Sequence, residues 1–360
     1  TAGARHYFNG IRDGATATVH GVTDLMTGKP LEWRVVTGDE ARAMGMSNAA
    51  QDHRYIAVAL ARPVPNGGQA RIRIDKTYRD TLSVRPDTDR LVFDRPLGID
   101  RNAVVLPPGY ELVSVSFPSQ VATEPDGRIK VSFMNRGPSP VPYRVEARRL
   151  PRPIPAGAMP AKPAAPLTAT TKLEGDFSER AFEDRDITYF LLDPAGHSFR
   201  LFHDYTETKA GVDHYLNVVR PGSKASDPGA YLLDTGERLT VETLAGAEIT
   251  RRGIQASEPI TPEMDVVLIR FPAVPEGGST RLRIEETYTD PGRYNLVGDE
   301  LVWDRAFGRP RNTVILPAGW YLTASAMPTV VTTTEDGRVR LRFINDRPGE
   351  IAVSIRARRR

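Results

Sequence analysis

RIRIDKTYRD (Arg71–Asp80) is answered by RLRIEETYTD (Arg281–Asp290). The correspondence runs on without a gap. DRLVFDRPLG meets DELVWDRAFG, RNAVVLPPGY meets RNTVILPAGW, and DGRIKVSFMN meets DGRVRLRFIN. The block Arg71–Asn135 thus matches Arg281–Asn345 at a constant offset of 210, with about four positions in ten identical. Within it, Arg71-Ile72-Arg73-Ile74 and Arg281-Leu282-Arg283-Ile284 alternate charged and apolar residues, as half-buried antiparallel strands do. Asp126-Gly127 and Asp336-Gly337 interrupt the alternation. An Asp-Gly pair tolerates the positive φ of a tight hairpin. The Pro-Pro-Gly and Pro-Ala-Gly segments before Tyr110 and Trp320 read as turns between strands.

These signals predict an all-β protein of two tandem homologous β-sandwich domains, an internal duplication. The chain has 360 residues, enough for two full cores. Residues 1–150 form copy one and 174–360 copy two. Between them lies PRPIPAGAMPAKPAAPLTATTKL (Pro151–Leu173), whose spaced prolines cannot pair in a sheet and favour an extended linker. The front halves match more loosely. His20–Thr23 and Val35-Val36 resemble His203–Thr206 and Val218-Val219 at an offset of about 183. That offset implies an insertion in copy two at about 221–253. EARAMGMSNAAQ (Glu40–Gln51) is the one fair helical candidate.

Composition narrows the function classes. A net charge of +3 and a mean hydropathy of -0.37 describe an ordinary globular chain. The basic residues are nearly all arginine and spread along the sequence, so no concentrated nucleic-acid-binding face is expected. The terminal RARRR (Arg356–Arg360) reads as a last strand with solvated ends. Cysteine is absent, which excludes thiol catalysis and disulfides. With a first residue of Thr, not Met, this points to an exported bacterial protein. No apolar run reaches the roughly 20 residues of a membrane span.

Polar candidates recur in both copies. Tyr78, Asp80, Asp89, Asp94, Arg95, Arg101 and Asn102 return as Tyr288, Asp290, Asp299, Asp304, Arg305, Arg311 and Asn312. Such residues can serve as acid, base or sugar ligand. They also cap strand ends, and retention in both copies favours the scaffold role. His197, His203 and His214, with Asp204, Glu207 and Asp213, follow no metal-ligand spacing; on an extended strand His197 and His203 would stand about 20 Å apart. No GxSxG elbow or phosphate-cradling loop occurs. Trp303, Trp320 and Tyr321 stand where copy one has Phe93, Tyr110 and Glu111. They suit either the core or an aromatic recognition platform.

The sequence from Pro-Val-Pro-x-Gly-Gly through ETYTD, LVWDR and LPAGWYL resembles the β-sandwich and saddle-like domains attached to bacterial exported peptidases. The stretch ETYTDPGRYNLVGDELVWDRAFGRPRNTVILPAGW (Glu286–Trp320), with its copy-one counterpart, also resembles an extrinsic accessory subunit of a photosynthetic reaction centre–light-harvesting complex. That second resemblance implies a non-catalytic scaffold on the extracytoplasmic, or periplasmic, face of a bacterial membrane. The expected partners are integral or peripheral membrane subunits, with no nucleic acid, cofactor or metal. Contacts are expected at the tether prolines Pro151, Pro153, Pro155, Pro160, Pro163 and Pro166, and at Tyr231 and Leu232. The alternative is an envelope hydrolase accessory or carbohydrate-binding module, with Trp303 or Trp320 lining a groove and Asp304 or Glu286 facing it.

Overall fold

The computed structural model describes residues 2–151, 185–256, 259–347 and 349–360. The described chain is almost wholly β, and it divides into two compact units, Thr1–Pro86 and Asp87–Arg360. The division therefore falls inside the first copy, not at the expected linker. Residues 152–184, which hold Pro153, Pro155, Pro160, Pro163 and Pro166, lie outside the described residues.

The first unit contains β1 (His6–Ile11), β2 (Thr16–Asp24), β3 (Trp33–Thr37), α1 (Gly38–Ala43), β4 (Arg54–Ala59) and β5 (Ile72–Arg79), followed by β6 (Val84–Asp87). A three-stranded antiparallel sheet runs in the order β1-β4-β3, and β2 pairs with β5. β4 (RYIAVA) is buried on both faces. Tyr55 and Ala57 pack with Val36, Ala41 and Ala49, while Ile56 and Val58 pack with Ile11 and Val22. The expected helix at Glu40–Gln51 is thus shorter and starts earlier. Thr37 and Glu40 cap it reciprocally, and this stops the strand where the helix begins.

The second unit opens with the back half of copy one: β7 (Arg90–Leu97), β8 (Arg101–Val105), β9 (Tyr110–Thr123), β10 (Ile129–Met134) and β11 (Val141–Arg149). Copy two follows, with β12 (Arg185–Leu191), β13 (Ser198–Glu207), β14 (His214–Val218), β15 (Lys224–Leu232), β16 (Thr240–Ala245), α2 (Gly246–Arg251), β17 (Asp265–Arg270), β18 (Thr280–Thr289), β19 (Tyr294–Val297), β20 (Glu300–Phe307), β21 (Arg311–Ile315), β22 (Trp320–Thr333), β23 (Val339–Ile344) and β24 (Ile351–Arg359).

β7 to β11 and β20 to β24 pair in the same way. Asp94 faces Arg144 as Asp304 faces Ser354, and Asn102 faces Phe133 as Asn312 faces Phe343. The front halves also answer one another, though not at 183. β14-β17-β16 repeats β1-β4-β3, and β15 pairs with β18 as β2 pairs with β5. Lys224 faces Thr289 as Thr16 faces Arg79, which sets an offset of 208 over β2 and β15. Residues 221–253 are therefore no insertion, since β15, β16 and α2 answer β2, β3 and α1. The mistaken offset joined strands of unlike position. Period-two alternation makes any half-buried strand resemble any other, and pairing alone tells them apart. In copy two, β12 and β13 link β18 to β21.

The two copies meet along β9 and β22. Each is a 14-residue strand that changes partner along its length: β9 pairs first with β11 and then with β10, and β22 with β24 and then β23. β9 and β22 also pair with each other, antiparallel. Ser325 faces Val121, Val331 faces Val115, and Thr329 faces Ser119. Since Ser325 corresponds to Val115, Val331 to Val121 and Thr329 to Ser119, the pairing is two-fold about Ser119 and Thr329. The flanking hydrogen bonds obey the same symmetry. Thr123 Oγ1 donates to the Thr323 carbonyl (3.0 Å), and Thr333 Oγ1 to the Val113 carbonyl (3.3 Å). One continuous core crosses this seam, from Leu112, Val131 and Tyr143 to Trp303, Leu341 and Ile355.

Candidate functional site: an arginine-lined groove

Alternation places the site. On β12, Tyr189 and Leu191 are buried, so Asp186, Thr188 and Phe190 point the other way. On β23, Val339, Leu341 and Phe343 are buried, and Arg340, Arg342 and Ile344 face outward. With Phe202 and Asp204 of β13, Arg283 of β18, and Arg311, Thr313 and Ile315 of β21, these residues line a groove of about 1330 Å³. The hairpin around Glu335-Asp336 and residues Met327 and Pro328 also border it.

Its floor is aromatic. Phe190 and Phe202 meet edge to face, with ring centroids 5.0 Å apart. Guanidinium groups lie over both rings: Arg283 and Arg200 over Phe202, at 5.4 and 5.7 Å, and Arg338 over Phe190, at 6.0 Å. Most of the lining charge is matched. Arg283 donates to both oxygens of Asp204 (2.7 and 2.8 Å), which raises the guanidinium's pKa through these hydrogen bonds. Arg338 pairs with Asp336 at 2.7 Å and Arg311 with Asp186 at 3.9 Å. Arg340 and Arg342 have no acidic partner among the described residues. They stand opposite Ile315 and Thr313. Alternate residues along an extended strand lie about 7 Å apart, so Arg340 and Arg342 of β23, with Arg338 just before it, form a row of cations at the repeat of an extended chain.

The residues singled out from the sequence are mostly elsewhere. The polar set kept in both copies is mostly structural, though Arg311 and Asn312 line the groove. Asn102 donates to the Ile99 carbonyl (2.6 Å) as Asn312 does to that of Arg309 (2.8 Å). Asn135 and Asn345 tie down the next turn, donating to Ser139 and Gly349. Asp80 accepts from Ser83 Oγ at 2.6 Å, and Arg305 lies 3.5 Å from Asp290. Trp303 and Trp320 are buried, at 0% and 3% exposure, so neither forms a recognition platform. Trp303 packs against Tyr189, Phe199 and Phe307. Tyr231 and Leu232 do not line the groove. They occupy the end of β15, in the position of Thr23 and Asp24, and Leu232 packs on the core. Pro151 is exposed.

The terminal arginines are mostly paired, and Arg356 and Arg358 are buried instead of solvated. Arg360 reaches back to Glu111 (2.9 Å), which also accepts from Arg148 (2.7 Å), and the Glu111 side chain is only 1% exposed. Arg359 pairs with Asp193. The histidines do not converge: His197 bonds the Tyr294 carbonyl, His214 bonds Asp213, and His203 faces the core. Among the described residues no group of His, Asp or Glu could hold a metal ion.

A second polar cluster lies within the core. Asn217 donates to Glu286 Oε2 (2.6 Å) and to the Tyr288 hydroxyl (3.0 Å). Burial pushes the Glu286 carboxyl up to about 7, against the pull of Asn217. Burial, helped by the charges of Arg309 and Arg185, pushes His203 down to about 3. Tyr215 packs against His203, with ring centroids 5.8 Å apart. Both Glu286 and His203 are neighbours of core residues on β13 and β18, and neither lines the groove. Alternation marked the inward face of these strands. It did not mark the groove, which needs outward residues from several strands whose adjacency is non-local.

No family model matches the chain, and no curated protein matches it. Among solved structures it is similar to an aminopeptidase N family protein from Idiomarina loihiensis, at 11% identity and a TM-score of 0.30 over 48% of this chain and 29% of that one. It is also similar to a protease-like protein from Parabacteroides distasonis, at 12% identity and a TM-score of 0.28 over 49% and 39%. The chain thus spans well under half the length of either. Likenesses this short and distant leave the chemistry to the chain's own residues.

Proposed function

We propose that this is a protein-binding scaffold whose groove holds an extended acidic segment of a partner protein. The carrying observation is the row Arg338, Arg340 and Arg342, of which the last two lack an acidic partner among the described residues, beside the Phe190–Phe202 floor. Carboxylates at every second residue of an extended chain repeat at the same spacing of about 7 Å. Guanidinium groups suit carboxylates because they donate through paired N–H groups. The aromatic floor accepts the apolar stems between them. The wider reading is a peripheral subunit on the extracytoplasmic face of a bacterial membrane assembly. The resemblance of Glu286–Trp320 motivates a photosynthetic one. No described helix is long and apolar enough to cross a membrane.

The test has two arms. A fluorescent peptide of alternating Glu and Val should bind the purified protein saturably and weaken with salt. The double variant R340E/R342E should lose at least tenfold in affinity while melting like the parent. In source membranes extracted with mild detergent, the protein should co-migrate with integral subunits and the double variant should not. Migration of the parent as a free monomer, or unchanged association of the variant, overturns the proposal.

A further inference from the structure

The arginine-lined groove ends at the join between the copies. Pro118 of β9 and Pro328 of β22 both border it. They correspond at the offset of 210, and each precedes one of the two residues, Ser119 and Thr329, that face each other at the two-fold centre. Met327 and Val330 of β22 also line the groove, whereas Pro118 belongs to copy one. A hydrogen bond ties the cation row to the same centre. Thr329 Oγ1 donates to the carbonyl of Arg342 (2.8 Å), one of the two groove arginines without an acidic partner among the described residues. On the copy-one side, Ser119 Oγ shares a hydrogen bond with the hydroxyl of the buried Tyr143 (2.9 Å). The join itself is an interrupted ladder, with register shifts on both sides of Thr329. Side chains supply bonds there, as where Gln120 Nε2 donates to the Ala326 carbonyl (2.7 Å).

We propose that a segment bound in the groove braces the two copies, so that occupancy of the groove tightens the β9–β22 join. The inference rests on the reading of the groove as a seat for an extended acidic segment, and adds what binding does to the protein. A segment that lies along Arg340 and Arg342 and reaches Pro118 touches both copies, and it does so only while the join is closed. Binding to the closed form alone lowers the open population by a factor of one plus the ratio of ligand concentration to Kd. The coupling is reciprocal, so whatever loosens the join weakens the groove. An interrupted ladder keeps fewer backbone hydrogen bonds than a regular one, and local opening starts where such bonds are few.

The probe is the alternating Glu and Val peptide, added to the full chain at about ten times its Kd. Hydrogen exchange at the amides of 115–123 and 325–333 should then slow by roughly tenfold. Exchange in β17, which does not line the groove, should stay unchanged. R340E/R342E should abolish the added protection. Pro118→Asp should weaken the peptide by roughly fivefold, because it sets a like charge where copy one borders the groove. If Pro118→Asp misfolds, the exchange measurement on the parent still decides. Three outcomes overturn the brace while leaving the acidic segment standing: protection confined to β12, β13, β21 and β23, equal slowing in β17, or unchanged affinity of a folded Pro118→Asp. Failure of the peptide to bind the parent removes both.

Discussion

Two buried residues of opposite tendency make stability depend on pH. Glu286 is raised from 4.5 to about 7, so the folded protein binds its proton more tightly than the unfolded chain does. Its contribution is full below about 4.5 and is lost as pH rises through about 7. His203 is lowered from 6.5 to about 3, so its contribution is present above about 6.5 and is lost as pH falls through about 3. Each group tilts stability by about 1.4 kcal/mol per pH unit within its window. Between about 4.5 and 6.5 the two slopes cancel. Glu286→Gln should remove the decline toward pH 7, and His203→Gln the acid limb below pH 4.5. Urea titrations from pH 3 to 8 would show it, and identical profiles for parent and variants would refute it. Trp303 gives a plainer case. Its side chain is fully buried among aromatics, and Trp303→Ala should cost about 3–5 kcal/mol in the same titrations. Sequence left open whether it was core or platform, because alternation fixes a face and not what covers it.

At the scale of elements, the paired strands β9 and β22 carry the join between copies. The bonds from Thr123 and Thr333 are related by its two-fold symmetry. Thr123→Val and Thr333→Val should each cost about 0.5–1.5 kcal/mol and agree closely, since each removes one hydrogen bond to a carbonyl of the other copy. Unequal losses in denaturant melts would show that the seam is not two-fold in energy. The helix entries provide another matched pair. A Cβ at Gly38 would lie 1.9 Å from the Ala50 carbonyl oxygen, and one at Gly246 would lie 2.0 Å from that of Thr261. Backbone must move in both cases. Gly38→Ala and Gly246→Ala should therefore each destabilise by more than about 1 kcal/mol, beyond any gain from helix propensity. Both glycines follow a strand directly, a signal the sequence held at Thr37-Gly38 and Ala245-Gly246 but which propensity alone could not interpret.

Across the molecule, the core does not respect the boundary between copies. Leu112, Val131 and Tyr143 belong to one cluster with Trp303, Leu341 and Ile355, and Arg360 closes on Glu111. Chains 1–150 and 174–360, expressed together as separate polypeptides, should therefore co-purify through β9 and β22, and 1–150 alone should aggregate or self-associate. Independent monomers on gel filtration would refute this. Sequence alone determined the all-β class, the repeated block Arg71–Asn135 and Arg281–Asn345, and the turns at Asp126-Gly127 and Asp336-Gly337. Those rest on local physics: the two-residue period of a strand and the positive φ a glycine permits at each turn, 86° at Gly127 and 80° at Gly337. Tertiary structure decided the rest. The alignment of the front halves, the division at Pro86 and the groove over several strands all depend on which strand lies beside which. Strand neighbours are chosen by closure of a shared core over long sequence separations, and a period of two is the same whichever neighbour is chosen.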